Sequence, residues 1–276
     1  GPRVVRPEDF VLGEGSAFDL DEIATNPNLS LYCLDDSDNT AWFVDAPRET
    51  LEHASFLYMK QRSAAQRVIK VPFDSLHTLA ERSGVDPSKI VLVYSTGRCG
   101  STLLSHAFGT FDGVASLSEP DVFTQMISVW GREGLAGAER EQLLRDCMRL
   151  QCLPEKLAGA STFVIKFRSM VTLMWPMIAR CMPEPKSIYL YRNVVPWTRS
   201  FYRMVGGPNL HEPFDRPGFH EFMGRIVPRF QGRESVPLME MILSIWLEPM
   251  EVAFQMQKEA QPMFLMKYEE VSRDPY

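Results

Sequence analysis

"VLVYSTGRCGSTLLSHAF", residues 91–108, carries an apolar strand through a glycine-containing turn into the start of a helix. The strand begins near Lys89 ("KIVLVYS") and has no polar alternation, which suits a sheet covered on both faces. Gly97 and Gly100 give the backbone freedom that a tight turn needs. Ser101 and Thr102 stand where the helix opens, and its free N–H groups and dipole favour an anion there. Arg98 adds a cation from inside the turn. A Walker loop would need Gly, four residues, then Gly-Lys-Ser/Thr. Here Ser95 occupies the first glycine position and Ser101 the lysine position. The stretch therefore reads as an anion-holding loop of another kind, or as an ordinary strand–helix turn of small residues.

From residue 89 onward, strands and helices alternate. "VASLSEP" (114–120) is short and extended and precedes a helix begun by Asp121; a further helix covers "AEREQLLRDCMRL" (138–150). Strand "TFVIKF" (162–167) leads to a Pro-kinked helix in "LMWPMIARCM" (173–182), then strand "KSIYLY" (186–191) and helix "VPWTRSFYRM" (195–204). A Gly/Pro/His loop fills 206–218, a long helix runs from about 236 to 259, and "PMFLMKY" (262–268) is a last strand. This order predicts an α/β fold of three layers, α/β/α, around a central parallel sheet over residues 89–276. Residues 1–88 read as a small α+β region of unknown role. It has strands in "LSLYCL", "TAWFVDA" and "RVIKVPF", a helix over "RETLEHASFLYMKQRSAAQ", and a helix started by Asp74 and stopped by Gly84.

Composition narrows the function classes. The 276 residues are 45% hydrophobic and 23% charged, enough for one large domain with a sizeable core. A net charge of −6 argues against a broad nucleic-acid footprint, while leaving room for a local basic pocket. No apolar run reaches a membrane span of roughly 18 residues. The best candidate, "VPLMEMILSIWLEPM", is interrupted by Glu240 and Glu248. The odd count of five cysteines, without paired spacing, reads as reduced thiols of an intracellular protein, so a cytoplasmic location is expected. The leading Gly1-Pro2 has the look of a tag-cleavage scar, which leaves open a native leader.

A second arginine lies at the end of a later strand. "SIYLYRNVVPWTRSFYR" (187–203) places Arg192 at the strand end and Ser200 eight residues on, with Asn193 and Pro196 as cap and first turn of the helix between them. A guanidinium fork with a nearby hydroxyl is what a phosphate dianion requires. Together with "STGRCGSTLL", this arrangement resembles the P-loop sulfotransferases, which use 3′-phosphoadenosine 5′-phosphosulfate (PAPS) and release adenosine 3′,5′-bisphosphate (PAP). The resemblance spans about residues 89–275, including "MFLMKYEEVSRDP" as the family's late strand and helix start. It implies a nucleotide-binding fold of the P-loop type. It also implies that Thr96, Gly97, Arg98, Cys99, Gly100, Ser101 and Thr102 hold the 5′-phosphosulfate, and that Arg192 and Ser200 hold the 3′-phosphate. Cys99 stands where serine is usual in that family. Family members continue with a basic, glycine-containing loop, so the end at Tyr276 implies either a truncated domain or a more openly held cofactor.

The same resemblance assigns catalytic groups. Small-molecule members carry Lys-Thr-His at a strand end, with lysine at the bridging oxygen and histidine as base. Here "VIKFRSM" gives Lys166 the lysine position and Arg168 the histidine position, and arginine cannot serve as base at neutral pH. Carbohydrate-type members use a glutamate after the first helix, which corresponds to Glu119 in "SLSEPD". Pro120 is expected to hold Glu119 extended. The implied function is transfer of a sulfuryl group to a hydroxyl of a small-molecule or carbohydrate acceptor, with Glu119 as general base and Lys166 and Arg98 stabilising charge. No Asp/Glu pair stands near the loop to hold magnesium, so no metal is expected. His211 and His220, on the Gly/Pro/His loop, read as lid residues near the acceptor or as solvated side chains. Fifteen Met and 17 Phe, with Trp130, Trp175 and Trp246, can build either a lipophilic acceptor pocket or a packed core. Two alternatives remain: a nucleotide-binding scaffold without catalysis, and a P-loop phosphotransferase.

Overall fold

The computed structural model describes residues 4–131, 137–204, 223–224, 227–259 and 261–273. Its centre is a five-stranded parallel sheet built from β4 (Ile90–Ser95), β5 (Val114–Ser118), β6 (Thr162–Lys166), β7 (Lys186–Tyr191) and β8 (Met263–Lys267). They lie in the order β5-β6-β4-β7-β8. The opening strand, β4, is central: Ile90 pairs with Phe163 on one side and Val91 with Lys186 on the other. Being covered on both faces explains why its residues are apolar without alternation. The chain leaves β4 toward β5 on one side and later crosses to β7 on the other. This reversal opens a crevice at the carboxyl end of β4, the usual ligand position in open α/β sheets. The α/β architecture with a parallel central sheet is as expected from the sequence.

Three antiparallel strands, β1 (Leu29–Asp35), β2 (Thr40–Asp45) and β3 (Arg67–Pro72), form a second sheet in the order β1-β2-β3. Its edge strand β1 packs on helices α5 (Val122–Trp130) and α6 (Ala138–Leu157). The Gln125 side-chain amide donates to the Leu34 carbonyl and accepts from its N–H, both at 2.7 Å. Gln125 thus satisfies an edge residue's backbone as another strand would. One continuous apolar core runs from Ile23 and Leu31 in this region to Phe163, Trp175 and Met256 around the parallel sheet.

Several boundaries differ from the sequence reading. The segment after Pro47 is two helices, α1 (Arg48–Leu51) and α2 (Leu57–Ala64), separated at His53, where φ is 55°. Gln61 of α2 is buried and bonds Ser30 and the Leu31 carbonyl of β1, which ties this helix to the second sheet. Helix α3 (Phe73–Arg82) is capped at Pro72, with Asp74 inside its first turn rather than at the cap. Pro176 does not kink a helix. It lies in the first turn of α7 (Trp175–Cys181), where a missing N–H costs nothing, after a 3-10 helix at Ser169–Met174. Helices α4 (Ser101–Phe108), α8 (Val194–Met204) and α9 (Leu238–Lys258) stand near their expected places. The Gly/Pro/His loop, with His211 and His220, lies outside the described residues. Among the described residues no helix is long and apolar enough to cross a membrane.

Candidate functional site

A cleft of about 730 Å³ opens at the carboxyl ends of β4 and β6. Thr96, Gly97, Arg98, Gly100, Ser101, Thr102, Glu119, Lys166, Arg192 and Ser200 all line it, although they come from five separate stretches of chain. Cys99 is the exception among the expected residues. Its side chain is fully buried beneath the loop, with Sγ 3.4 Å from the Leu190 carbonyl. Burial pushes its thiol up, away from the reactive thiolate form.

The loop is curled by positive φ angles at Gly97 (71°), Arg98 (51°) and Gly100 (80°). A Cβ on Gly100 would meet the Tyr268 ring at 2.9 Å, so a side chain there would have to displace the ring. Two tethers fix the curl from below. The indole Nε1 of buried Trp197 donates to the carbonyls of Thr96 (3.1 Å) and Gly97 (2.7 Å), and the Thr96 N–H donates to Leu190 (3.2 Å). The N–H groups of Arg98, Cys99 and Gly100 donate to no group among the described residues. They precede the N-terminus of α4, whose first-turn N–H groups also lack helical acceptors.

Asn193 caps α8 by accepting from the Val195 N–H (3.0 Å), which starts the helix that presents Ser200. Arg98 Nε donates to Ser200 Oγ at 3.1 Å, and Arg192 donates through Nη1 to the Arg98 carbonyl at 3.2 Å. The two motifs read separately in the sequence are therefore in direct contact. The Arg192 guanidinium lies over the Tyr268 ring, 4.5 Å from its centroid. Its Nε is buried without a partner. Among the described residues, neither Arg98 nor Arg192 has a carboxylate within ion-pair reach. Two unneutralised guanidiniums, a hydroxyl and free amides make a site for a strongly charged anion.

Deeper in the cleft the cations are paired. Lys166 is almost wholly buried and its ammonium contacts the Glu119 carboxylate. Glu119 also donates its N–H to the Lys166 carbonyl at 2.7 Å. Contrary to the expectation from Pro120, Glu119 is not extended: its φ is 58°. The backbone bond to β6 and the reach of the carboxylate back to Lys166 together hold this strained conformation, which a non-glycine residue adopts at a cost of order 1–3 kcal/mol. Arg168 lines the same cleft and donates to buried Asp121 at 2.7 Å. Asp121 accepts a second bond from the Val5 N–H (3.1 Å), so its carboxylate serves Arg168 and the N-terminal segment instead of capping α5. Burial favours neutral Arg168, but the charge and hydrogen bond of Asp121 outweigh it and hold the guanidinium charged.

No family model matches the chain. No curated protein matches it either.

The remaining wall of the cleft is mainly apolar, and its residues were not singled out by sequence. Met170, Leu173, Phe201, Met204, Met241 and Ile245 line it. Trp130, Trp175 and Trp246 do not. Trp175 stacks on Tyr94 in the core (4.5 Å), Trp130 bonds Asp36, and Trp246 donates to the Arg192 carbonyl (3.0 Å). Tyr268 and Trp197 were also missed as supports of the loop. The available signal for the wall was spacing along α9: Met241, Ile245 and Glu248 recur on one helical face.

Proposed function

We propose that this protein is a sulfotransferase that uses PAPS and passes the sulfuryl group to a hydroxyl of a small acceptor. One observation carries the reading: Arg98, bonded to Ser200, and Arg192, bonded to the Arg98 carbonyl, stand beside an amide-rich loop without carboxylate partners among the described residues. The orphaned Nε of Arg192 and the unbonded loop N–H groups fit a nucleotide with phosphate at both the 3′ and 5′ positions. When bound, PAPS supplies the sulfuryl group. Arg192 and Ser200 would hold the 3′-phosphate, and the loop from Thr96 to Thr102 with Arg98 would hold the 5′ end through main-chain N–H groups, Cys99 included. The buried Lys166 ammonium has three N–H bonds and can balance charge on the leaving oxygen while still touching Glu119. Glu119 would take the proton as the acceptor oxygen bonds to sulfur.

The test is thermal stabilisation in metal-free buffer. PAP should raise the unfolding temperature far more than 5′-AMP, and Arg192→Ala should remove most of that difference. A contact of this kind is worth roughly 1.5–3 kcal/mol, or about tenfold or more in affinity. Equal stabilisation by the two nucleotides counts against the reading. A second reading, nucleotide binding without transfer, draws on the Glu119–Lys166 contact, because a paired carboxylate must share its charge before it accepts a proton. PAP binding with no sulfonate added to any hydroxyl compound of a metabolite extract, by mass spectrometry, would favour that reading.

A further inference from the structure

We propose that Phe56, from the N-terminal α+β region, is a specificity-determining residue of the cleft and selects an acceptor whose hydroxyl stands on an uncharged, flat apolar body. That this molecule receives a sulfuryl group rests on the sulfuryl-transfer reading; the contact with Phe56 does not.

Among the described residues, Phe56 alone brings the N-terminal region into the lining of the cleft. It is 43% exposed and joins neither of the two apolar clusters that take up Phe10, Phe18, Phe43 and Phe73. The next residue, Leu57, turns into the core. The open part of the Phe56 ring sheds its water only when something covers it, and aromatic rings in a concave site are the usual means of holding an apolar ligand.

The ring stands on a fixed segment. The Ser55 carbonyl accepts from Ser118 Oγ at 2.8 Å, and the Ser55 hydroxyl meets His106 Nε2 at 3.2 Å. Tyr58 lies under the Arg168 guanidinium, with its ring centroid 5.4 Å away. Phe56 follows Ser55, and Glu119 follows Ser118. One hydrogen bond thus joins the segment that carries the ring to the strand end that carries the carboxylate. An acceptor that offers its hydroxyl to Glu119 places its body in the same end of the cleft as Phe56.

Charge and wall set the character of that body. Lys166 is matched by Glu119, Arg168 by Asp121, and Glu248 by Arg229. Apart from Arg98 and Arg192 at the anion loop, the described lining therefore offers no unmatched charge to a carboxylate or an ammonium. Met170, Leu173, Phe201 and Met204 continue the apolar surface, and methionine adapts to irregular bodies. A flat ring also gains from packing on Phe56. A sugar, hydroxylated on every side, would lose hydration against this wall without regaining hydrogen bonds.

The experiment is isothermal titration of naphthylmethanol, naphthoate and glucose, with and without PAP, into the parent protein, Phe56→Ala and Phe56→Leu. Naphthylmethanol is expected to bind tightest. Phe56→Ala should weaken it about five- to tenfold without moving PAP affinity or the unfolding temperature. Phe56→Leu should recover part of the loss. With PAPS, Phe56→Ala should raise KM for naphthylmethanol more than it lowers kcat. Parent-like binding of naphthylmethanol by Phe56→Ala overturns the proposal, as does tighter parent binding of naphthoate or glucose; both leave the nucleotide reading intact. Equal losses of PAP and naphthylmethanol affinity also overturn it, because a purely structural Phe56 would act in that way. Phe56-dependent binding of naphthylmethanol without PAP binding or sulfonate transfer upholds the contact and sinks the sulfuryl-transfer reading.

Discussion

Glu119 grips Lys166 twice, through its carboxylate on the ammonium and through its N–H on the carbonyl at 2.7 Å. Two strands end in this clamp, because Glu119 follows β5 and Lys166 closes β6. Parallel pairing of Ser118 with Lys166 brings them into register. The base and the cation of the proposed reaction are therefore placed by sheet hydrogen bonds rather than by loops, which favours a fixed geometry.

Replacing Glu119 by Gln retains the shape and a hydrogen bond to Lys166 but removes the proton acceptor. Nucleotide affinity should stay within a few-fold, while transfer slows by about 10²–10⁴. Single-turnover assays with PAPS, set beside PAP titration, check both halves. Glu119→Ala is a poorer probe. It would leave the buried Lys166 ammonium uncompensated, which costs about 3–5 kcal/mol of stability.

The Arg168–Asp121 pair predicts a stability effect distinct from any effect on chemistry. The Asp121 side chain is fully buried and also anchors the Val5 N–H. Asp121→Ala should destabilise the fold by about 3–5 kcal/mol in urea denaturation, the usual loss when one partner of a buried ion pair is removed. Proteolysis should then cut first near the N-terminal segment. Unchanged stability would mean that Arg168 finds another carboxylate.

The legible part of this protein was what local pattern and spacing encode. β4 and its turn could be read because apolar runs and glycines act locally, and Arg192 with Ser200 because one strand–helix unit fixes their spacing. The Glu119–Lys166 contact was not legible, since it depends on β5 pairing with β6, which are separated in the chain by α5 and α6. Pro120 even pointed the wrong way: its steric preference for an extended neighbour was overridden by two bonds to Lys166. Tyr268 follows the last strand and reaches the loop only because β8 lies beside β7. The apolar wall escaped notice for a different reason. Methionines in α9 carry the same pattern whether they face a core or a cleft.

Thiol reactivity offers a test of packing without any ligand. Burial pushes the thiols of Cys33, Cys147 and Cys152 far above the ordinary range and that of Cys99 upward as well. Cys181 is also raised by burial but is part-exposed. In the native protein iodoacetamide should label Cys181 first, and the other four only on unfolding. Fast labelling of Cys99 would show that the loop opens and exposes its underside.

Gly100 ties the loop to the nucleotide question. Its φ of 80° strains any side chain, and a Cβ would press on the Tyr268 ring at 2.9 Å. Ala in such a conformation costs more than about 1 kcal/mol, but the displaced ring matters more for binding because it lies beneath the Arg192 guanidinium. Gly100→Ala should therefore weaken PAP by tenfold or more while 5′-AMP changes less. Adding Tyr268→Ala removes the steric conflict but leaves the backbone strain and takes away the ring. If the ring positions Arg192, the double variant should lose little beyond Gly100→Ala, a non-additive result expected of residues in contact. If the losses add, Tyr268 supports Arg192 independently of the loop. If Gly100→Ala binds PAP as the parent does, the loop does not hold the nucleotide in this conformation.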